Sequence, residues 1–222
     1  MADQQAELEW RTGEVPVSAQ FDDPYYSLED GLAETRHVFL SGNGLPDRFQ
    51  DGFHIAELGF GTGLNLLAAL QSWRASGQAG VLQFTSFEAF PLAPKDMLRA
   101  HHGFKTLAPL AQELAPFWGA PGGFDLADLR FRLILGDARD TLRAWDQTAD
   151  AWFLDGFSPA KNPELWEPDL LAEVACHTAP GGTVATYTAA GHVRRALSAN
   201  GLLTERTAGF GRKRHMTIAR KI

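Results

Sequence analysis

The sequence predicts an α/β protein built on a doubly wound, mostly parallel sheet. Three observations predict it. Strand-like and helix-like segments alternate from about residue 53 onward, the pattern of repeated β-α-β units. The first strand runs into a glycine-rich turn, Gly59-Phe60-Gly61-Thr62-Gly63, that opens a helix. Acidic residues then stand at the C-terminal ends of successive strands, where open sheets of this class bind ligands.

Each element has its own local reason. "FHIAEL" (53–58) is a short apolar strand, and "LNLLAALQSWRAS" (64–76) is the helix after the glycines. "LQFTSFEA" (82–89) is a second strand. Residues 92–118 read as two helices, with Leu107, Leu110 and Leu114 at helical spacing, and "GAPGG" (119–123) as a loop. "LRFRLIL" (129–135) is the third strand and "TLRAWD" (141–146) a short helix. "AWFLD" (151–155) is the fourth strand, and "ELWEPDLLAEVACHTA" a helix that stops before Pro180-Gly181-Gly182. "TVATYT" (183–188) is a strand, "AGHVRRALSANG" a helix closed by Gly201, and two final strands fall near 202–207 and 214–221. The pattern divides the chain at residue 52. Residues 1–52 are read as an extension covering part of the sheet, and 53–222 as the main domain. In the extension, "SLEDGLAETRHVFL" (27–40) is a helix with Ser27 as N-cap and Asp30 at the capping-box position, preceded by the turn "FDDPYYS".

Composition narrows the function classes. A chain of 222 residues with 45% hydrophobic and 21% charged residues can bury a full core. No apolar run reaches about 18 residues, and the N-terminus has no signal-peptide pattern, so neither a membrane span nor export is expected. One cysteine, Cys176, excludes a disulfide framework, fits a reducing cytoplasm, and is read as core. The net charge of −7 conceals an asymmetry. Residues 192–222 hold eight basic residues against Glu205 alone, a net +7 that leaves −14 on the rest. A basic end on an acidic body is either a phosphate-binding face or a solvated surface. The histidines have no metal spacing: His101 and His102 splay apart on a helix, and His215 in "RKRHM" belongs to the basic face. No metal is expected.

The chemistry starts at "ELGFGTGLN" (57–65). Glycines 59, 61 and 63 let the backbone turn tightly and come close to a ligand. Leu64 stands where a dinucleotide fingerprint needs a third-spaced glycine, which disfavours a nicotinamide cofactor. Glu88 ends the second strand, where an acid can accept from two ribose hydroxyls. Asp137, followed by Ala138, ends the third strand in "LILGDAR", where it can accept from an adenine amino group. Each acid alone is a strand-end cap; three in register after three strands mark a pocket. Asp155 ends the fourth strand and enters "DGFSPAKNPELW", a loop stiffened by prolines with Phe157, Pro159, Lys161 and Trp166. There a carboxylate can orient an amine nucleophile and pass on its proton, and aromatic side chains can stack a flat base. Tyr25 and Tyr26 either stack a base or cover the mouth of the cofactor site.

The segments "ELGFGTGLN", "SFEAFPL", "WFLDGFSPAKNPELW", "PGGTVATYTAAGHVRRAL" and "GFGRKRHM" together resemble the methyltransferase domain of the bifunctional tRNA 5-methylaminomethyl-2-thiouridine biosynthesis proteins. "FDDPYYSLEDGLAETRHVFL" is similar to their N-terminal segment, so the resemblance runs from about residue 16 to 217. It implies a class I, Rossmann-like fold with a seven-stranded sheet, S-adenosyl-L-methionine as cofactor, and methylation of the aminomethyl group on uridine 34 in the anticodon of tRNA. Glu57, Gly59, Phe60, Gly61, Thr62, Gly63, Asn65, Glu88, Asp137, Ala138 and Asp155 fall to the cofactor, with Asp155 also the active-site carboxylate. Tyr25, Tyr26, Phe157, Pro159, Lys161, Trp166, Phe210, Arg212, Lys213 and Arg214 fall to the tRNA. The bifunctional proteins carry a second, FAD-dependent domain that has no counterpart in these 222 residues, so FAD is not expected, and no obligate protein partner is legible. Methylation of another nucleic-acid nitrogen or a small amine stays open on the residues alone. So does a non-catalytic module that binds S-adenosylmethionine or tRNA.

Overall fold

The computed structural model describes residues 5–11 and 15–222. Three short strands, Leu8–Arg11 (β1), Val15–Ser18 (β2) and Asp23–Pro24 (β3), form a small antiparallel sheet that the sequence did not announce. None exceeds four residues, too few for an alternation to stand out. Gly31–Thr35 (α1) follows, capped by Asp30, whose carboxylate accepts from the Ala33 N–H at 2.9 Å, and not by Ser27. Beyond it the chain loosens into a π-helical turn, Arg36–Leu40.

The main sheet then builds in the predicted rhythm. Its elements are His54–Leu58 (β4), Leu64–Ser76 (α2), Leu82–Glu88 (β5), Pro94–His101 (α3) and Ala108–Leu114 (α4). Gly123–Asp125 (β6), Leu129–Leu135 (β7), Ala138–Thr141 (α5) and Ala149–Leu154 (β8) come next. Pro168–Cys176 (α6), Thr178–Thr186 (β9), Gly191–Ala199 (α7), Leu202–Ala208 (β10) and His215–Lys221 (β11) complete it. The strand order is β10-β11-β9-β8-β4-β5-β7-β6. The five central strands are parallel, β11 lies antiparallel between β9 and β10, and β6 adds an antiparallel edge. Among the described residues the sheet therefore has eight strands, one more than expected; β6 begins at Gly123, the last residue of the segment read as a loop.

Four other expectations shift. The helix expected at 141–146 lies instead at Ala138–Thr141, because Asp137 caps it by accepting from the Arg139 N–H, and residues 142–146 are not helical. The helix expected to start at Glu164 starts at Pro168, since a residue before proline is held extended and Glu167 has ψ 144°. Its C-terminal residue Cys176 is exposed, not core: α6 buries the stripe Leu170, Leu171, Val174 and Ala175, and position 176 falls off that stripe. Pro180-Gly181-Gly182 does not end an element but sits inside β9, where the pairing with β8 shifts register between Ala149 and Ala151.

Alternate residues of the central strands feed two cores. Ile55, Phe84 and Phe153 face α2 and α4, while Ala56, Phe87, Trp152 and Leu154 face α5, α6 and α7. Residues Leu32, Val38, Phe39, Leu40, Leu45 and Phe49 join the first core. Burying side chains of this size contributes about 1.5–3 kcal/mol each, enough to fix the N-terminal segment beside α2. Among the described residues, no helix is long and apolar enough to cross a membrane.

Candidate active site

The strand order reverses between β4 and β8, because the chain winds outward through β5 and β7 before returning. At the C-terminal ends of these strands lies a cavity of about 1390 Å³, the place where an open α/β sheet leaves a crevice.

One side of the crevice is built by β4, α2 and β5. Gly59, Gly61 and Gly63 have φ of 83°, 51° and 76°, a region that side chains with a Cβ rarely adopt. At Gly59 a Cβ would also meet the Gly156 Cα at 3.0 Å, so this turn lies directly against the β8 strand end. Glu88 closes the turn from β5: its carboxylate accepts from the Gly61 N–H at 2.9 Å and the Phe90 N–H at 2.8 Å. Burial pushes its pKa up, opposed by those N–H groups. Tyr25 lies over Gly61, and burial together with the Glu88 charge raises its phenol pKa. On the third strand end, Asp137 lines the cavity with Gly136 and Ala138, and both its oxygens face Arg139, the closest contact being 2.6 Å. That hydrogen-bonded guanidinium holds its pKa below the usual carboxylate range.

Asn65, on the first turn of α2, joins the two sides. Its amide nitrogen donates to Glu57 at 2.8 Å and to Asp155 at 2.7 Å, and its oxygen accepts from the Thr35 hydroxyl at 2.9 Å. Both N–H donors and the oxygen of the amide are thereby engaged, so the side chain is locked. Glu57 is fully buried and also accepts from the Ser86 hydroxyl at 2.6 Å. Burial lifts its pKa well above the ordinary value, and the charges of Asp155 and Glu88 lift it further. Glu57 does not line the cavity; it holds Asn65 from behind, and the expectation that it contacts the cofactor is corrected to a supporting one. Gly63 likewise lies behind the wall, against Phe60 and Met97.

Asp155 is the centre of the other side. Besides Asn65 it accepts from the Gly156 N–H at 2.9 Å. Burial raises its pKa to about 7, with the Asn65 and Gly156 donors and the Lys213 charge opposing and the Glu34 charge adding. A carboxylate that titrates near neutrality can exchange a proton with an amine.

The loop after Asp155 divides into wall and frame. Phe157 lines the cavity and stacks on Phe21 with ring centroids 4.8 Å apart; Tyr25 meets it edge-on at 5.0 Å. Trp166 is 2% exposed, with its indole N–H donating to the Phe157 carbonyl at 2.9 Å, so it braces the loop and cannot stack a base. Lys161 donates to the Asp22 carboxylate at 2.9 Å and to the Asp22 carbonyl, fastening the loop to the N-terminal sheet. Neither Lys161 nor Pro159 lines the cavity. Tyr26 donates to the Ala100 carbonyl at 3.2 Å and packs on Gly31, a fixing role.

The basic turn between β10 and β11 also divides. Arg212 and Arg214 are exposed, with Arg212 3.1 Å from Glu29. Lys213 departs from expectation in its partners: its ammonium reaches Glu34 at 2.8 Å and lies 4.0 Å from the centre of the Tyr187 ring, and although 45% of its side chain is exposed it lines the cavity, as Arg212 does. Phe210 lines the cavity beside it. Sequence reasoning missed Glu34 and Tyr187. The available signals were an acid between two buried positions of a short helix, and an aromatic just past a parallel strand end.

These features define a class: an open α/β sheet with a glycine turn and strand-end carboxylates built to hold a nucleoside-containing cofactor. The comparisons make it specific. The signature of an S-adenosyl-L-methionine-dependent methyltransferase family matches residues 110–222. The tRNA 5-methylaminomethyl-2-thiouridine biosynthesis bifunctional protein MnmC of Hahella chejuensis is 44% identical over 96% of this chain and 36% of its own length. The protein of the same name from a Caulobacter species is 47% identical over 93% of this chain and 37% of its own length. The crystal structure of MNMC2 from Aquifex aeolicus superposes with a TM-score of 0.77 at 25% identity, covering 98% of this chain and 71% of that one. The chain belongs to the S-adenosyl-L-methionine-dependent methyltransferase family, and it spans about a third of the length of the curated relatives it matches.

The residues present fit that cofactor. Gly61 leaves backbone exposed where a Cβ would crowd, and Glu88 and Asp137 offer acceptors at neighbouring strand ends of the cavity, suited to the ribose and adenine of a nucleoside. Among the described residues, no group of three His, Cys, Asp or Glu could hold a metal ion.

Proposed function

We propose that this domain methylates the 5-aminomethyl group of uridine or 2-thiouridine at position 34 of tRNA. One observation carries the reading: Asp155, with a pKa near 7, sits at the switch point beside the glycine turn, in a chain 44–47% identical over nearly its whole length to proteins named for this modification. Bound S-adenosylmethionine supplies an electrophilic methyl group on sulfur. The residues of this chain do the rest. The glycine turn and Glu88 hold the nucleoside portion. Phe157, Phe21 and Tyr25 give the acceptor base an aromatic wall, and base–aromatic stacking contributes about 1–3 kcal/mol per base. An aminomethyl group is mostly protonated at neutral pH and must lose a proton before its nitrogen can attack. Asp155, held by Asn65 and the Gly156 N–H, aims the N–H and takes or relays that proton. Arg212 and Arg214 on the exposed turn meet the phosphates of the anticodon arm.

The test uses purified protein, S-adenosylmethionine and tRNA carrying 5-aminomethyluridine or its 2-thio form. Nucleoside mass spectrometry should show conversion to the methylaminomethyl nucleoside. Conversion of a small amine with the tRNA untouched would move the acceptor to another class.

A further inference from the structure

Lys213 presents, at the acceptor side of the cavity, the same chemical group that the proposed acceptor carries: a primary ammonium on a methylene. Its surroundings are those of an ammonium receptor. The Glu34 carboxylate is 2.8 Å away, on a side chain only 12% exposed, and the Tyr187 ring centre is 4.0 Å away. The Tyr187 face is fixed, because its hydroxyl donates to the Gly156 carbonyl at 2.8 Å. Glu34 is also tied to the reacting centre: the next residue of α1, Thr35, donates to Asn65, which donates to Asp155. Receptor and Asp155 are thus two ends of one hydrogen-bonded unit.

We propose that Glu34 and the face of Tyr187 form the binding site for the acceptor's ammonium group, and that the Lys213 ammonium holds this site until the acceptor displaces it. The inference rests on the proposed amine acceptor and adds the residues that select it. Charge favours it. The carboxylates of Asp23, Glu34 and Asp155 all act on the Tyr187 hydroxyl, and Lys213 is the cation paired among them. An arriving cation is welcome there and a neutral hydroxymethyl base is not. Exchange is cheap on the lysine side, since its side chain is 45% exposed and partly exposed ion pairs contribute little. It is obligatory on the other side, since a nearly buried carboxylate left without a partner is costly. The turn that carries Lys213 is tightly built: a Cβ at Gly209 would meet the Lys213 carbonyl, and the Gly209 N–H donates to the Arg214 carbonyl at 3.2 Å. The stem, not the backbone, is therefore the part that swings.

Two arms test this. In the first, benzylammonium and benzyl alcohol are titrated into the cofactor-loaded protein and followed by NMR. The K213M variant should bind benzylammonium several-fold more tightly than the parent, the E34Q/K213M double variant should lose that gain, and benzyl alcohol should show no such pattern. Equal benzylammonium binding by all three proteins, or weaker binding by K213M, overturns the proposal whatever the true substrate is. In the second arm, E34Q should raise the KM for aminomethyl tRNA about tenfold or more, with S-adenosylmethionine affinity unchanged as the check on folding, and K213M should lower that KM. An E34Q KM equal to the parent's, or a K213M KM that rises with a flattened salt dependence, makes Lys213 a phosphate contact and breaks the receptor. A parent that leaves aminomethyl tRNA unmethylated instead breaks the functional reading, and the NMR arm still decides the receptor.

Discussion

The two walls of the crevice are built in opposite ways. The wall proposed to hold the methyl donor comes from one stretch of chain, residues 59–62 with Leu64 and Asn65, and Glu88 from the neighbouring strand, held by backbone conformation and backbone N–H donors. The wall proposed to face the acceptor collects Phe21, Glu34, Asp155, Tyr187 and Lys213 from five separated segments, held by side-chain hydrogen bonds, an ion pair and ring contacts. A wall made of backbone can bind one invariant ligand with little ordering. A wall made of side chains from distant segments can be retuned one residue at a time, which suits the partner that distinguishes one methyltransferase from another. Asn65 is the joint between them.

That contrast predicts which property each substitution damages. The largest effect is expected at Asp155. Replacing it by Asn should lower turnover by about 10²-fold or more, with S-adenosylmethionine affinity nearly intact. Single-turnover kinetics on aminomethyl tRNA checks it; a variant within a few-fold of the parent would make Asp155 a structural cap. The same residue has a stability signature. Its folded pKa is about 7, above the roughly 3.9 of an unfolded aspartate. Its proton therefore stabilises the fold fully below about pH 4, and that contribution disappears as pH rises through about 7. The parent's melting temperature should accordingly fall between about pH 4 and 7 more steeply than that of D155N, while parent activity rises as pH passes through about 7. Parallel melting curves for the two proteins would show that Asp155 titrates elsewhere.

The joint comes next. Asn65→Ala removes donors from two recessed carboxylates and the acceptor for Thr35. Hydrogen bonds to charged groups are worth about 1.5–3 kcal/mol each, so urea unfolding should show a loss on the order of 2–3 kcal/mol, with both cofactor affinity and turnover reduced. Damage confined to one of the two functions would mean that the walls are independent. On the donor wall alone, Glu88→Ala should weaken S-adenosylmethionine binding about tenfold or more by calorimetry, leaving tRNA affinity unchanged; an unaltered dissociation constant would remove Glu88 from the cofactor site. The smallest effect belongs to the exposed turn. R212A/R214A should raise the KM for tRNA and reduce the steepness of its salt dependence by about one to two in logarithmic slope. A slope equal to the parent's would leave these arginines a solvated surface.

The sequence by itself determined the donor wall and the frame that carries it. Alternating strands and helices imposed the parallel sheet, glycines at 59, 61 and 63 imposed the turn, and strand ends placed Glu88, Asp137 and Asp155 around one crevice. These follow from local periodicity and backbone freedom, which a linear reading can see. Only the tertiary structure decided the rest. Glu57 retreats behind Asn65 because β4 is central and buried on both faces. Trp166 turns inward to satisfy its indole N–H on the Phe157 carbonyl. Lys213 aims its ammonium at the cavity because a nearly buried Glu34, 179 positions away in the chain, needs a cation. A buried charge finds its partner through space, and separation along the sequence carries no record of that choice.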